Sequence, residues 1–268
     1  MRSGSEVRSR GTVNIHPTAI VHPEADLGDG VVIGPFSIID ASVVIGANTI
    51  VGARVTIEGH TTLGEQNEIF TGAVIGSRTQ DKKFDGGKSY LKIGDNNKIR
   101  EYVTINPGTK DGTETRIGNE NLIMAYAHVA HDCVIHNHTV LANAATLAGH
   151  VEICDRAIIG GLSAVHQFTR IGKLALIGGC SKVVQDLPPF MIADGHPARA
   201  YGINSVGLDR AGMSNEDKTA LKKAFKIIFK SKLTLKKSII RLEEEHMDVP
   251  VIEDLLKFLK ESERGICR

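Results

Sequence analysis

Hydrophobic positions along this chain recur every six residues. An aliphatic side chain fills every sixth position through most of residues 15–183, and glycine often follows it. An α-helix repeats about every 3.6 residues and a strand about every 2, so neither element explains the spacing. The period is typical of a hexapeptide β-helix, in which three hexads close a coil of about eighteen residues. The repeated positions are Ile15, Val21, Leu27, Ile33, Ile39, Ile45, Val51, Ile57, Leu63, Ile69 and Ile75, then Ile93, Ile99 and Ile105, then Ile117 and every sixth residue to Val183.

The fold class predicted from this pattern is mainly β, a solenoid of stacked parallel strands over residues 15–190, preceded by a flexible extension over residues 1–14. Two segments interrupt the repeat. Residues 77–92 are charged and contain a Gly-Gly pair, and residues 106–115 are rich in turn-forming residues. We expect both to project from the solenoid as loops.

The pattern becomes helical after a Pro-Pro pair ends the hexads. Ser214 with Asp217 three residues later has the form of a helix start. Further helices are expected at about 234–246 and 250–263. Residues 191–268 are therefore predicted to form a linker and a small α-helical domain that caps the open edge of the solenoid.

Composition argues against several functional classes. A formal net charge of +1 provides no global field for nucleic acid or an anionic membrane. No apolar run approaches the roughly 18 residues of a membrane span. The four cysteines are scattered without CxxC spacing, which favours reduced thiols and a cytoplasmic location.

Histidines at other phases of the repeat are the candidate chemistry. Stacking by eighteen places His131 in line with Gly149 and Gln167, with His150 and His166 beside it. Neutral imidazoles of such a cluster could hold zinc, as in carbonic anhydrases with this repeat. Alternatively, one imidazole could act as general base on a substrate hydroxyl. A non-catalytic scaffold is disfavoured by the clustering. Five other histidines are expected at exposed positions without a role, namely His16, His22, His60, His136 and His138.

The sequence around the histidines resembles one family. The segments HVAHDC, LANAATLAGHV and IIGGLSAVHQF, with IHPTAIV, TQDKK, NKIREYVTI, GGCSKVVQD and PPFMIADG, are similar to UDP-N-acetylglucosamine O-acyltransferases, which begin lipid A synthesis, over essentially 15–265. The resemblance implies a left-handed β-helix and transfer of an (R)-3-hydroxyacyl group from acyl carrier protein to the 3-hydroxyl of UDP-N-acetylglucosamine, with no metal and no cofactor. It also implies a homotrimer with sites between subunits, in which histidines would face the Asp81 loop of a neighbour or groups near it.

Residue roles follow from the same resemblance. His131 matches the general base, Asp132 is a candidate for orienting its imidazole, and the backbone N–H of Gly149 matches the oxyanion donor. Gly179 matches the residue that limits acyl length. The substrate contacts implied are Asp81, Lys83, His128 and His150 for the sugar, His166 and Gln167 for the nucleotide-sugar and pantetheine end, and Asn204 and Arg210 for the uridine diphosphate.

The chain departs from the best-known members at Val206 and Ala211, where an acidic and a basic residue are expected, so nucleotide contacts are predicted to be weaker or rearranged. No residue excludes an amine acceptor on a 3-amino sugar nucleotide. Residues 214–237 contain eight lysines and two acidic residues. These lysines form either a solvated helix face or a docking surface for the acidic acyl carrier protein.

Overall fold

The computed structural model describes residues 12–246 and 249–268. Most of the extension predicted over residues 1–14 lies outside these ranges, and regular structure begins at Asn14. Every hexad contributes one short strand, and successive strands fall on three faces in rotation. The result is a three-sided parallel β-helix, as the six-residue period predicts.

Each face is one sheet that runs along the solenoid. The first face contains Asn14–Ile15, Val32–Ile33, Ile50–Val51, Glu68–Ile69, Lys98–Ile99, Leu122–Ile123, Val140–Leu141, Ile158–Ile159, Leu176–Ile177, Met191–Gly195 and Ala198–Ile203. The second contains Ile20–Val21, Ile38–Ile39, Thr56–Ile57, Val74–Ile75, Thr104–Ile105, His128–Val129, Thr146–Leu147, Ala164–Val165 and Lys182–Val183. The third contains Asp26–Leu27, Val44–Ile45, His60–Leu63, Tyr90–Ile93, Glu114–Ile117, Val134–Ile135, Glu152–Ile153 and Arg170–Ile171.

The register of the strands confirms the eighteen-residue stack. His128 pairs with Thr146, and Thr146 pairs with Ala164. Where the chain leaves the solenoid, the paired residues are further apart in sequence. Glu68 pairs with Lys98. The coils therefore stay aligned across the interruptions.

Two side chains of each hexad point inward. The predicted aliphatic residue is one, and a second residue lies two positions before it, as with Val31 and Ile33, both nearly fully buried. The hydrophobic pattern misses this second column because it contains small and polar residues. Polar members stack by hydrogen bonding to one another: Asn67 Oδ1 accepts from Asn97, and Asn97 Oδ1 accepts from the backbone N–H of Asn121.

Both predicted loops are shorter than expected. Strands begin at Tyr90 and at Glu114, inside the expected segments 77–92 and 106–115. Side chains in these strands alternate between inward and outward, and Leu91 and Thr115 are fully buried. A loop boundary set by composition misses this alternation because polar residues fill the outward positions.

The end of the solenoid differs from the predicted boundary at residue 190. Met191–Gly195 still pairs with the first face and then forms an antiparallel hairpin with Ala198–Ile203. The peptide bond between His196 and Pro197 at the turn is cis. The chain terminus also closes this end, since the backbone N–H of Cys267 donates to Asp186 O.

The described residues after this hairpin form four α-helices: α1 Ser205–Arg210, α2 Asn215–Phe225, α3 Leu235–His246 and α4 Pro250–Glu261. The helix start predicted at Ser214 is confirmed by a reciprocal capping box with Asp217. A π-helical turn, Lys226–Lys230, extends α2. In the described ranges, none of the helices combines the length and apolar character needed to cross a bilayer.

Candidate active site

The candidate site lies at the corner between the second and third faces, where three residue pairs stack. The pairs are His131–Asp132, Gly149–His150 and Gln167–Phe168. Backbone hydrogen bonds connect them, from His150 N to His131 O and from Phe168 N to Gly149 O. The second residue of each pair is in the left-handed region, with φ of 58°, 59° and 62°. This conformation costs roughly 1–2 kcal/mol for a residue with a Cβ, and the coil supplies the hydrogen bonds that hold it.

His131 and Asp132 form a hydrogen-bonded pair. The distance from His131 Nδ1 to Asp132 Oδ2 is 2.8 Å. Since a carboxylate only accepts, the Nδ1 atom holds the proton and Nε2 keeps its lone pair. Thr109, in the second loop, donates its backbone N–H to Asp132 Oδ2 at 3.2 Å. The arrangement fixes the orientation of the imidazole and leaves Nε2 directed away from Asp132.

The first loop brings Asp81 to the other nitrogen of the same ring. Asp81 Oδ2 lies 3.5 Å from His131 Nε2, and both side chains are largely buried. Asp81 therefore meets His131 of its own chain. The resemblance implied that the histidines face the Asp81 loop of a neighbour, whereas this contact lies within one chain, because the first loop leaves the second face after Ile75 and reaches the later coil that contains His131.

Gly149 lies directly against the His131 ring. A Cβ added to Gly149 would come within 2.3 Å of His131 Cε1 and 2.4 Å of Nε2. Only glycine leaves room for the imidazole here. Among the described residues, the Gly149 N–H donates no hydrogen bond. The site thus holds an unpaired N–H donor beside the basic nitrogen.

His128 and His150 are held neutral beside the pair. Burial lowers the pKa of His128, and the nearby His131 lowers that pKa further. Burial also lowers the pKa of His150, although Asp132 opposes this effect. His150 Nε2 is 3.6 Å from Asp132 Oδ2, and its ring stacks on Phe168 with centroids 4.5 Å apart. Neutral imidazoles can donate or accept one hydrogen bond on each nitrogen, which suits hydroxyl recognition.

Other predicted site residues are not brought into this cluster. His166 is exposed, and its Nδ1 lies 3.1 Å from Gln167 O. Within the described ranges its ring contacts none of the other clustered histidines. Gln167 and Lys83 are exposed.

The structure does not bring together a zinc site made of imidazoles alone, which was one of the alternatives from the sequence. A metal could meet one ligand atom from each of His131, Asp132 and His150, which lie within 4.8 Å of one another. This is a pair of imidazoles with a carboxylate, and His131 Nδ1 is already hydrogen-bonded to that carboxylate.

Asn204 and Arg210 lie on a different part of the solenoid. They line a cavity of about 190 Å³ on the first face together with Val206 and Ala211, whereas His131 lies at the opposite corner. Asn204 is buried, its Nδ2 donates to Leu174 O, and its Oδ1 accepts from Gly207 N. The Asn204 side chain is therefore engaged in capping α1, and Arg210 is the exposed cation that this helix presents.

Gly179 lies at the corner between the first and second faces, stacked over Gly161. A Cβ added to Gly179 would meet only Gly161 O, at 3.3 Å, and one added to Gly161 would meet Asn143 O at 3.2 Å. Neither glycine projects a side chain from this column, and the predicted acyl groove along it stays a prediction.

Sequence reasoning missed three residues of the site, two that contact histidines and one that binds Asp132. Thr104 Oγ1 lies 2.7 Å from His128 Nδ1, Thr109 binds Asp132, and Phe168 stacks on His150. Phe168 could have been found by adding eighteen to His150. The two threonines could not, because the variable length of the second loop hides their register.

Two family models match the chain. The bacterial transferase hexapeptide model, of six repeats, matches residues 114–149, and the model described as UDP N-acetylglucosamine O-acyltransferase, domain 2, matches residues 186–267. The coils and the corner site thus define a hexapeptide-repeat transferase with a left-handed β-helix.

Close relatives extend this match to nearly the whole chain. The acyl-[acyl-carrier-protein]--UDP-N-acetylglucosamine O-acyltransferase of Thiobacillus denitrificans is 49% identical over 95% of this chain and 99% of its own length. The solved UDP-N-acetylglucosamine acyltransferase of Bacteroides fragilis is 44% identical, with a TM-score of 0.92 over 94% of this chain and 99% of that one. The Moraxella catarrhalis O-acyltransferase is 41% identical, with a TM-score of 0.91 over 95% and 99%. The chain belongs to the UDP-N-acetylglucosamine O-acyltransferase family, an acyltransferase family, and the alternative of a zinc lyase is set aside.

Proposed function

We propose that this chain transfers an (R)-3-hydroxyacyl group from acyl carrier protein to the 3-hydroxyl of UDP-N-acetylglucosamine, the first step of lipid A biosynthesis. The relatives are named for acyl carrier protein and for this sugar nucleotide. The observation that carries the proposal is the His131 ring, which is held by Asp132 at Nδ1 and lies against Gly149, whose N–H donates no hydrogen bond among the described residues. A base and an oxyanion donor at adjacent positions suit acyl transfer.

The reaction follows from these groups. His131 Nε2 takes the proton of the sugar hydroxyl as the oxygen attacks the thioester carbonyl carbon. The carbonyl oxygen gains negative charge, which the Gly149 N–H stabilises. The C–S bond then breaks, and the departing thiolate takes the proton from the imidazolium. Asp132 stabilises the positive ring between these steps, because its carboxylate lies 2.8 Å from Nδ1.

Asp81, His128 and His150 surround the position of the attacking hydroxyl and are proposed to bind the sugar. Asp81 Oδ2 lies 3.5 Å from His131 Nε2, so an incoming hydroxyl would insert between the carboxylate and Nε2. Exposed residues of this corner and of the first loop are proposed to contact the outer parts of the substrates. They are His166 and Gln167 at the corner and Lys83 in the loop. Arg210 is proposed to bind the diphosphate, since its planar fork can bind two oxygens together.

The test is an assay of the purified chain with UDP-N-acetylglucosamine and a series of (R)-3-hydroxyacyl carrier proteins. The proposal requires a product with an oxygen ester at the 3-position, identified by mass and by NMR. Transfer only to the 3-amino analogue would assign the same machinery to an amine acceptor. Absence of transfer to either sugar would overturn the proposal.

Gly179→Met should shift the preferred acyl donor to a shorter chain. The added side chain would fill the groove above Gly161, and each CH₂ that loses its burial costs about 0.8 kcal/mol. Two excluded CH₂ groups would lower kcat/KM for the longer donor by roughly tenfold. The measurement is kcat/KM across the acyl series, with Gly179→Ala as a smaller step. An unchanged chain-length profile in both variants would contradict the role.

Acyl carrier protein is proposed to dock on the exposed lysines of α2 and the turn that follows it. Lys222, Lys223 and Lys226 are all exposed. Charge reversal at Lys222 and Lys226 should raise KM for the acyl carrier by roughly tenfold at low salt and flatten its salt dependence. Reversal of Lys236 and Lys237 on α3 makes the same change in net charge and serves as the control. Equal effects in both pairs would point to net charge rather than to docking.

A homotrimer is proposed from the distribution of apolar surface and of site residues. Large apolar side chains are exposed along the corner between the first and second faces, namely Phe36, Tyr102, Tyr126 and Leu162. Such a ridge is typical of a protein interface. Because Arg210 is remote from His131 in one chain, a neighbouring chain would complete the site. Sedimentation equilibrium tests this, and a monomeric mass would contradict it.

A cytoplasmic location is proposed because all four cysteines are free. Reduced thiols are the rule in that compartment. Mass spectrometry after alkylation of intact cells would detect oxidised cysteines if the location were different.

A further inference from the structure

A second group of potential ligands lies on the third face, outside the candidate active site. His136, Glu152 and Cys154 belong to two neighbouring coils, in which Val134 pairs with Glu152. This register sets His136 beside Cys154. One atom from each of the three side chains lies within 4.8 Å of the others, and all three residues are half-buried. The sequence predicts that His136 lies at an exposed position and has no functional role.

The side chains are already oriented toward one another. His136 Nε2 is 3.1 Å from Glu152 Oε1. The other carboxylate oxygen, Oε2, accepts from Arg170 Nε at 2.8 Å. Arg170 thereby fixes the Glu152 side chain and leaves Oε1 directed at the histidine. The ligand atoms therefore need little reorganisation to converge on one ion.

The thiol of Cys154 is the least explained part of this group. The buried thiols elsewhere donate to carbonyl oxygens, Cys133 to Ala148 O and Cys267 to Gln185 O. Across the described ranges, Cys154 donates to no acceptor. This half-buried thiol donates no hydrogen bond within the described ranges. It lies beside an imidazole and a carboxylate, which are the neighbours expected at a metal site.

We propose that His136, Glu152 and Cys154 bind a borderline-soft divalent cation of the Zn²⁺ class, with water in the fourth position. Nitrogen, oxygen and sulfur donors in a tetrahedral set are typical of zinc, whereas calcium and magnesium prefer oxygen alone. Binding displaces the proton of the thiol and the proton shared between His136 and Glu152, and both protons pass to solvent. The fixed strands hold the ligands at neighbouring positions.

The charges around the group are compatible with a dication. Hydrogen bonding from His136 and Arg170 lowers the pKa of Glu152 to about 2, so the carboxylate is ionised. Burial raises the pKa of Cys154 to about 12, so the thiol holds its proton until a metal replaces it. Arg170 and Arg116 are positive, and Glu152, Asp155 and Glu261 are negative.

The site would also connect the solenoid to the C-terminal helices. Arg170, which holds Glu152, lies 3.4 Å from Glu261 and over the ring of Phe258, both on α4. A metal that immobilises Glu152 would therefore stabilise the contact of α4 with the third face. Ligands that bind only the folded chain raise its melting temperature with concentration.

The experiment uses Co²⁺ as a spectroscopic probe of the full chain after removal of metals by chelation. We expect visible absorption from tetrahedral Co²⁺ and a sulfur-to-cobalt charge-transfer band, both lost when Zn²⁺ is added. The group at His131, Asp132 and His150 contains no sulfur and could not give that band. Cys154→Ser should abolish the band, and His136→Asn should weaken Zn²⁺ affinity by more than about tenfold. Cys180→Ser, an exposed thiol elsewhere, is the matched control and should leave the band unchanged.

A second readout separates a metal site from general damage to the fold. Zn²⁺ should raise the melting temperature of the wild type and of Cys180→Ser, but not that of Cys154→Ser or His136→Asn. All variants should transfer acyl groups at the wild-type rate, because the group is separate from His131. A charge-transfer band that survives Cys154→Ser, or the absence of any band in the wild type, would overturn the proposal. A Zn²⁺-dependent loss of activity in every variant would instead assign the ion to the His131 group alone.

Discussion

Replacing His131 by alanine should lower kcat by a factor of about 10² to 10⁴, the usual contribution of a positioned general base. The imidazole is hydrogen-bonded to the Asp132 carboxylate through Nδ1, and its Nε2 faces Asp81 on the side where the sugar hydroxyl is proposed to bind. In the His131→Ala variant, acyl transfer depends on water to accept the proton of the sugar hydroxyl. The measurement is steady-state transfer to UDP-N-acetylglucosamine, with KM for both substrates.

The control for this variant is His22→Ala, which removes an exposed histidine near the start of the solenoid. It should retain wild-type turnover. The His131 ring lies outside the coil interior, so the melting temperature of His131→Ala should stay close to that of the wild type. Full turnover in the folded His131→Ala variant would exclude this residue as the base.

Gly149→Ala should reduce turnover by about 10²-fold, although it changes neither base nor N–H donor. The new Cβ would come within 2.3 Å of His131 Cε1, so the ring must move away from its contact with Asp132. A displacement of about 1 Å at a reacting group can cost about 10²-fold in rate. The measurement is kcat for transfer, together with KM for both substrates.

The matched control for Gly149→Ala is Gly202→Ala, where an added Cβ would lie at an ordinary contact distance of 3.7 Å from Ile192. Gly202→Ala should be neutral. A crystal structure of Gly149→Ala would show the imidazole rotated away from Asp132. Wild-type turnover with an unmoved ring would mean that the backbone, rather than the ring, yields to the methyl group.

Much of the site could be predicted because residues of this fold stack at a constant interval in the sequence. Residues eighteen apart lie in one column, so the placement of His131 beside Gly149 and His150 follows from their numbers. The family resemblance added the roles. Where a loop changes the interval between strands, this arithmetic fails, and Thr109 and Asp81 could not be located by it.

Other differences between the sequence-based predictions and the structure have a common cause. Polar residues occupy positions at which they support the fold. The loop limits were too wide because Lys92 and Glu114 occupy outward positions of real strands. Asn204 stays a predicted nucleotide contact, although its amide is buried and caps α1. Polarity alone does not distinguish a side chain that awaits a ligand from one that already has protein partners.

The sequence by itself determined the three-sided solenoid, the start of α2 at Ser214 and the column that contains His131, because local sequence patterns set each of these features. Tertiary structure decided which loop covers the base, which N–H is left unpaired and how the Met191–Ile203 hairpin closes the end of the first face. The features decided by tertiary structure depend on contacts between segments that the six-residue repeat does not relate to each other. They are set by the packing of side chains and the satisfaction of hydrogen bonds in three dimensions, which no repeat in the chain encodes.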